Sequence, residues 1–180
     1  MSRVPPPAFD AYLREARERC FVCAIASGED TRHHVVYEDE MAIAFLNRFP
    51  TLEGHVIVAP RAHREQVTGD FSAEEYLAHQ RVVYGVAEGV RVVLDAERVY
   101  ILSLGSQAAN AHVHWHVAAL PAGVPFEQQQ LEALSWERGI LDLSDADMAA
   151  MANRIRPAIA ARIGSPPNHP QGPPRPLRTR

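Results

Sequence analysis

The sequence predicts an α+β fold in which an antiparallel β-meander packs against helices. Three observations favour this class. Short β-branched segments follow one another without strict alternation with helices, and one long amphipathic helix separates two groups of strands. No glycine-rich loop of the P-loop or dinucleotide-binding type is present. With 180 residues, the chain has the size of a single domain.

The composition is typical of a globular chain in water, with 47% hydrophobic and 22% charged residues. No apolar run has the length of a membrane span, and Met1 to Pro7 lacks the segments of a secretory signal. We therefore expect a cytoplasmic protein without a membrane partner. The net charge of −4 argues against binding of polymeric nucleic acid and is compatible with a small anionic ligand.

The first elements follow from residue patterns and their interruptions. Apolar positions recur at helical spacing in 8–19, behind a proline-rich arm that we expect to be loose. Polar and acidic breaks then separate three strand-like runs, at 35–37, 41–46 and 55–59. The predicted order therefore begins with one helix and about three strands.

The longest predicted helix spans 72–95. Ser72 and Glu75 form a capping box at its start, and an apolar stripe follows. Gly85 and Gly89 lie inside this helix although glycine lowers helix propensity. We interpret the two glycines as positions of close packing against a neighbouring element.

The remaining chain is predicted to add two strands, two helices and a tail. These are strands 99–104 and 111–120, helices 126–134 and 144–163, and a disordered or extended segment 165–180. Ser144 is the predicted first residue of the second helix, with Asp147 in its first turn.

Alternating histidines distinguish the last predicted strand, in the stretch His112-Val113-His114-Trp115-His116. Side chains alternate between faces along a strand, so the three imidazoles should share one face. With nine histidines in the chain, chance produces such a run in only about two sequences in a hundred. Three interpretations stay open: His114 as a nucleophile on phosphorus, imidazoles that bind a catalytic zinc, or a histidine-rich exposed strand.

The only two cysteines, Cys20 and Cys23, are separated by two residues. In a cytosolic chain this spacing is typical of metal ligands or of a redox pair. No thioredoxin-like βαβ pattern surrounds them. The residues alone leave a metal site, a redox pair and two unliganded thiols open.

Several motifs, in their order and spacing, resemble the histidine triad (HIT) superfamily of nucleotide hydrolases and transferases. They are Cys20-Phe21-Val22-Cys23, the strand Met41 to Leu46, the run from Gly54 through His55 to His63, and His112 to Val117. The resemblance implies a HIT-like catalytic domain at 20–121. An arm and helix at 1–19 precede it, and a helical extension at 122–163 and a Pro/Arg-rich tail at 164–180 follow.

The resemblance implies that His114 attacks the α-phosphate of a purine nucleotide substrate and becomes nucleotidylated. His116 and His55 would contact the phosphate or the leaving group. The substrate would be a nucleoside phosphoramidate or a dinucleoside polyphosphate, which can arrive with Mg²⁺. The resemblance also implies a homodimer, formed through the long helix and a sheet edge.

The same resemblance implies a structural zinc site at Cys20, Cys23, His63 and His112. Two thiolates and two imidazoles complete a tetrahedral shell and leave no position for a reactive water.

The segment Asn47-Arg48-Phe49-Pro50 resembles the branch that cleaves dinucleoside polyphosphates. Asn47 matches the residue that binds the ribose hydroxyls, although an Asx turn also accounts for an asparagine there. The phosphate-binding loop of the family is shortened here, and Ser106, Gln107 and Asn110 are the candidate substitutes. Two alternatives to the hydrolase stay open: a zinc-dependent hydrolase that uses the triad as ligands, and a nucleotide-binding module with little turnover.

Overall fold

The computed structural model describes residues 2–164. In chain order these residues form β1 (Arg3–Val4), α1 (Phe9–Glu18), α2 (Phe21–Ala26), β2 (Val35–Glu38), β3 (Ala42–Leu46), β4 (Val56–Pro60), α3 (Ala73–Val93), β5 (Arg98–Leu102), β6 (Trp115–Leu120), α4 (Leu131–Leu134), β7 (Ile140–Leu141) and α5 (Asp145–Ile163). Short 3-10 turns flank α4, at Phe126–Gln128 and Trp136–Arg138. The predicted tail at 165–180 lies outside the described residues.

Strands β2 to β6 form an antiparallel sheet in the order β2-β3-β4-β6-β5. The chain leaves β4 through α3, enters β5 at the edge, and returns through β6 into the gap between β4 and β5. The predicted α+β class with an antiparallel sheet and packed helices is confirmed. No helix within 2–164 combines the length and apolarity needed to cross a bilayer.

Both faces of the central strands are buried, as their continuous apolar sequences indicate. Along β4, Val56 and Val58 belong to the main core, where α3 and α5 cover the sheet. Ile57 belongs to a smaller core on the opposite face, together with Val22 of α2.

The register of the sheet aligns one row of side chains across that opposite face. Phe45 pairs with Ile57, Ile57 pairs with His116, and His116 pairs with Leu102. Residues directly opposite in neighbouring strands share a face. The pairing therefore places the last histidine of the triad beside an apolar floor formed by β3, β4 and β5.

Helices α3 and α5 approach closely through the two glycines of α3. A Cβ added at Gly89 would lie 2.8 Å from Ile159 Cγ1 and 2.9 Å from the Ile159 backbone nitrogen, and a Cβ added at Gly85 would overlap the Ile163 side chain. The predicted close packing is confirmed. The predicted capping box at Ser72 begins α3, and α5 begins at Ser144 as predicted, where Asp147 completes a second capping box.

Two sequence predictions about segments outside the central sheet are wrong. Arg3–Val4 of the supposed loose arm pairs with β7, and the Arg3 guanidinium donates to the carbonyls of Gly139 (2.7 Å) and Thr51 (2.8 Å). The predicted helix 126–134 is divided into a 3-10 turn and α4, because Gln130 between them has a positive φ of 57° that a helix does not allow.

Candidate functional site

His114 is held in one tautomer by a backbone carbonyl. Its Nδ1 lies 2.7 Å from the oxygen of His112, and its side chain is only 3% exposed. A carbonyl only accepts, so Nδ1 carries the proton and Nε2 presents a lone pair when the ring is neutral. Burial lowers the pKa of His114 and favours that neutral ring.

His116 is held in the complementary tautomer by a chain of three hydrogen bonds, which we call the Asn47 relay. The Phe49 backbone N–H donates to Asn47 Oδ1 (3.0 Å), which fixes Asn47 Nδ2 as a donor to His55 Nδ1 (3.3 Å). His55 Nε2 then carries the proton and donates to His116 Nδ1 (3.0 Å). Consequently the proton of neutral His116 lies on Nε2.

The Asn47 relay is local to two strand ends. Asn47 follows β3 and His55 precedes β4, and the Asn47 N–H donates to the His55 carbonyl at 2.8 Å. Burial, followed by the charge of neighbouring imidazoles, lowers the pKa of His55 to about 3 and that of His116 to about 4. These rings are therefore neutral at pH 7, and their roles follow from their tautomers.

The rings of His114 and His116 lie side by side, with centroids 5.0 Å apart. One ring offers a lone pair and its neighbour offers an N–H. This combination suits attack on an electrophile whose leaving atom needs a hydrogen-bond donor.

His114 and His116 line a cavity of about 240 Å³, which we call the histidine compartment. Besides His55, His114 and His116, its walls include Asn47, Asn110, Thr51 and a set of apolar side chains from β5, α1 and the segment after β6. A second cavity of about 140 Å³, the charged compartment, shares the Asn47, Phe21 and Ile57 wall. Its other walls carry Glu15, Arg19, Asp30, Arg32, His33 and Arg48.

A separate cluster of Cys20, Cys23, His63 and His112 brings four potential ligand atoms within 4.8 Å of one another. Cys20 caps α2 and Cys23 lies in its first turn, so a short helix positions both thiols. The His112 Nδ1 atom lies 3.3 Å from Cys20 Sγ and 3.5 Å from Cys23 Sγ, and His63 Nδ1 lies 3.3 Å from Cys23 Sγ.

The outer nitrogens of both imidazoles in the cluster are anchored. His112 Nε2 donates to the Pro60 carbonyl (2.9 Å) and His63 Nε2 donates to the Glu65 carboxylate (3.1 Å). Each ring therefore turns an unprotonated Nδ1 toward the thiols, which is the arrangement of metal-bound histidines. Burial and the neighbouring Cys20 raise the pKa of Cys23 to about 11, so a cation is needed to hold both sulfurs as thiolates.

The spacing of these atoms fits zinc. Tetrahedral zinc with Zn–S near 2.3 Å and Zn–N near 2.1 Å separates neighbouring sulfur and nitrogen ligands by roughly 3.5 Å. The three sulfur–nitrogen separations in the cluster are 3.3, 3.3 and 3.5 Å. The donor set and its spacing are therefore those of a closed zinc site.

A family model described as HIT domain matches residues 29–121. The chain belongs to the HIT family. An uncharacterized HIT-like protein of Saccharolobus solfataricus is 31% identical over 101 residues, which make up 54% of this chain and 71% of that protein. Membership places the chain in the superfamily of nucleotide-binding hydrolases and transferases.

Two solved HIT structures resemble this one. A hypothetical histidine triad nucleotide-binding protein from Sulfolobus tokodaii matches with a TM-score of 0.64 and 23% identity, over 79% of this chain and 93% of its own. A Zn-bound histidine triad family protein from Mycobacterium smegmatis matches with a TM-score of 0.61 and 25% identity, over 80% of this chain and 95% of its own. The likeness to the Sulfolobus tokodaii protein shows a common fold only.

The HIT triad is divided between the two sites. His112 turns toward the thiols, whereas His114 and His116 face the histidine compartment. Within 2–164, the cluster with the two cysteines is the only group of three or more His, Cys, Asp or Glu residues whose atoms converge as metal ligands. This arrangement argues against a catalytic zinc bound by all three triad imidazoles.

The residues predicted for substrate binding fall in different places. Asn47, His55 and Asn110 line the histidine compartment. Gln107 lines a different cavity beside the cysteine cluster, and Ser106 accepts a hydrogen bond from the Ala108 N–H (3.2 Å) without lining either compartment. Asn47 also forms the Asx turn with Phe49 that the sequence left open as an alternative.

Several side chains that line the histidine compartment are absent from the predicted site, and those with polar atoms are Tyr12, Thr51 and Trp136. Tyr12 lies in the predicted first helix, and no sequence motif includes Thr51 or Trp136. Tyr12 and Trp136 pack edge to face with centroids 5.2 Å apart, and Asn110 Nδ2 donates to the Tyr12 hydroxyl. Only the tertiary fold brings these residues to the triad.

Proposed function

We propose that this HIT protein hydrolyses or transfers the nucleotidyl group of a nucleoside phosphoramidate or related α-phosphate conjugate through a nucleotidyl-His114 intermediate. The proposal is carried by one observation: the structure fixes opposite tautomers on two adjacent histidines in one compartment. His114 offers a lone pair to phosphorus, and His116 offers an N–H to the leaving atom.

The reaction proceeds as a double displacement. The Nε2 lone pair of His114 attacks the α-phosphorus, and the bond to the leaving group breaks with its electron pair. The leaving atom accepts a hydrogen bond from His116 Nε2 and takes its proton from solvent. Water then attacks phosphorus, the Nε2–P bond returns its electrons to His114, and the proton of the water leaves to solvent.

Burial favours the first step. The neutral state of His114, maintained by burial, preserves the nucleophilic lone pair at pH 7. The imidazole cation formed on attack donates through Nδ1 to the His112 carbonyl, which is already in place. Such preorganised dipoles stabilise charge that develops in the transition state.

The nucleoside occupies the charged compartment in this proposal. Phe45 and Ile57 provide an apolar floor for a base, and Asn47 stands at the boundary with the histidine compartment. Arg48 adds a positive charge on the same wall and suits an anionic ligand.

Zinc has a structural role in this proposal. Cys20, Cys23, His63 and His112 would hold it, and the bound ion would tie α2 to the segments after β4 and before β6. The ion belongs to no chemical step. A Mg²⁺ ion that arrives with the substrate, a homodimer and a cytoplasmic location stay predictions from the sequence.

An assay of AMP release from adenosine phosphoramidate and from diadenosine triphosphate tests the proposal. We expect wild-type protein to release AMP from the phosphoramidate and His114→Ala to lose at least about 10⁴-fold in kcat. His34→Ala is the matched control, because His34 contacts Asp145 and lines neither compartment. Denaturation during turnover, followed by mass spectrometry of the His114 peptide, should detect the nucleotidyl adduct.

Two outcomes contradict the proposal. Turnover that survives in His114→Ala would exclude His114 as the nucleophile. AMP binding without release from either compound would support the nucleotide-binding module, an alternative that the position of Ser106 and Gln107 outside the histidine compartment favours.

A further inference from the structure

The two compartments differ sharply in charge. Among the described residues, no Arg, Lys, Asp or Glu lines the histidine compartment, whereas five residues of these types line the charged compartment. A nucleotide whose α-phosphate reaches His114 with its nucleoside in the charged compartment directs its leaving group into the uncharged one. The walls there determine which leaving group fits.

The outer wall of the histidine compartment is apolar. Leu102 ends β5, Leu104 follows it, and Leu134 and Trp136 come from the segment after β6. Leu104 is 62% exposed, so an apolar surface stands open at the mouth of the compartment. Leu134 and Trp136 lie beyond residue 121, outside the match to the HIT domain model.

One buried polar atom in this compartment has no partner. Thr51 is only 2% exposed, and its Oγ1 makes no hydrogen bond to any residue within 2–164. A buried hydroxyl without a partner is destabilising, and ligand-binding cavities commonly place a few such groups among apolar walls. Thr51 is therefore available to a polar atom of a ligand.

We propose that Thr51, Leu104, Leu134 and Trp136 form a leaving-group subsite for an uncharged group with an aromatic body. The inference rests on the proposed function and narrows its substrate class to nucleotide phosphoramidates of amines that carry an aromatic ring. A polyphosphate chain would bring further negative charge into a compartment without a guanidinium or ammonium group to bind it. An aromatic ring instead packs against Trp136 and the leucines.

The test compares two phosphoramidates of AMP, one that releases benzylamine and one that releases ammonia. The two leaving amines have nearly equal basicity, so the ratio of their kcat/KM values reports contacts with the ring. We expect wild-type protein to prefer the benzyl conjugate and Trp136→Ala to lower its kcat/KM by about tenfold or more. The ammonia conjugate should stay within about twofold, and Trp136→Phe should restore most of the preference.

A second variant, Leu104→Arg, tests whether the missing positive charge disfavours a polyphosphate leaving group. It changes an exposed side chain and should leave the fold intact. It should raise kcat/KM for diadenosine triphosphate severalfold and lower kcat/KM for the benzyl conjugate.

Thr51→Val keeps the side-chain shape, and it should raise Tm while lowering kcat/KM for both phosphoramidates.

The outcomes separate the subsite from the proposed function. If wild type releases AMP from neither phosphoramidate, the proposed function fails. If it releases AMP but the benzyl preference is absent or survives in Trp136→Ala, only the subsite is overturned. An unchanged kcat/KM in Thr51→Val removes Thr51 from it.

Discussion

Asn47→Ala tests whether the Asn47 relay controls the donor proton of His116. The substitution removes the Nδ2 donor and leaves His55 Nδ1 without a hydrogen bond, so the tautomer of His55 with its proton on Nε2 is no longer favoured. When the His55 tautomer changes, His116 loses its fixed Nε2–H. The expected result is a lower kcat.

The magnitude follows from the length of the bond that is lost. The 3.3 Å separation is longer than the usual range of roughly 2.7–3.2 Å, so its contribution belongs near 1 kcal/mol. That energy corresponds to about a fivefold loss in kcat. His116→Ala removes the donor itself, and we expect it to cost about 10²- to 10⁴-fold.

A double-mutant cycle with adenosine phosphoramidate separates the relay from the ribose contact that the family resemblance implies. If Asn47 acts through His116, adding Asn47→Ala to His116→Ala changes kcat by less than about twofold. If Asn47 binds the ribose, the fivefold loss persists in that background and KM rises as well. Such additivity would refute the relay. Asn153→Ala, an exposed asparagine on α5, is the control.

Three further predictions concern stability. Cys23→Ser should abolish a zinc content of about one per chain, measured by elemental analysis, and lower the free energy of unfolding by several kcal/mol. A chelator should inactivate the wild-type protein at the rate at which zinc dissociates. Instantaneous loss of turnover would contradict a structural role of the zinc. Because the folded-state pKa of His55 (about 3) lies below its unfolded value, the unfolded chain binds more protons between pH 6.5 and 3. Urea titrations should therefore show full stability above pH 6.5 and a loss of about 3 kcal/mol from His55 by pH 4, and a flat profile would exclude a buried neutral ring. Gly89→Ala should lower the free energy of unfolding by about 1–3 kcal/mol in urea titrations, because the new Cβ meets the Ile159 backbone, and a neutral result would contradict the α3–α5 packing.

The elements that the sequence predicted well are those whose signals are local. The capping boxes at Ser72 and Ser144 and the helical period behind them needed no tertiary information. Alternation also held through the triad, because Val113 and Trp115 enter the main core while the histidines face away. Regular strand pairing nevertheless starts only at Trp115, so His112 and His114 precede β6.

The elements that the sequence predicted poorly depend on distant partners. Arg3–Val4 is a strand because it pairs with β7, and the neighbouring Pro5 to Pro7 do not indicate a strand in the sequence. The break at Gln130 depends on a left-handed backbone that the surrounding glutamines do not signal. Leu134 and Trp136 follow this break and reach the histidine compartment only through the tertiary fold, so the leaving-group wall could not be predicted from the motifs.

His112 connects the cysteine cluster to the histidine compartment. The side chain of His112 faces the thiols, while its carbonyl accepts a hydrogen bond from the Nδ1–H of His114. Anchoring the ring therefore also fixes the carbonyl that selects the His114 tautomer. The His-x-His spacing places His114 two residues after His112, where its Nδ1 reaches the His112 carbonyl. On this argument, loss of the cluster lowers kcat through the orientation of His114 and leaves its chemistry unchanged.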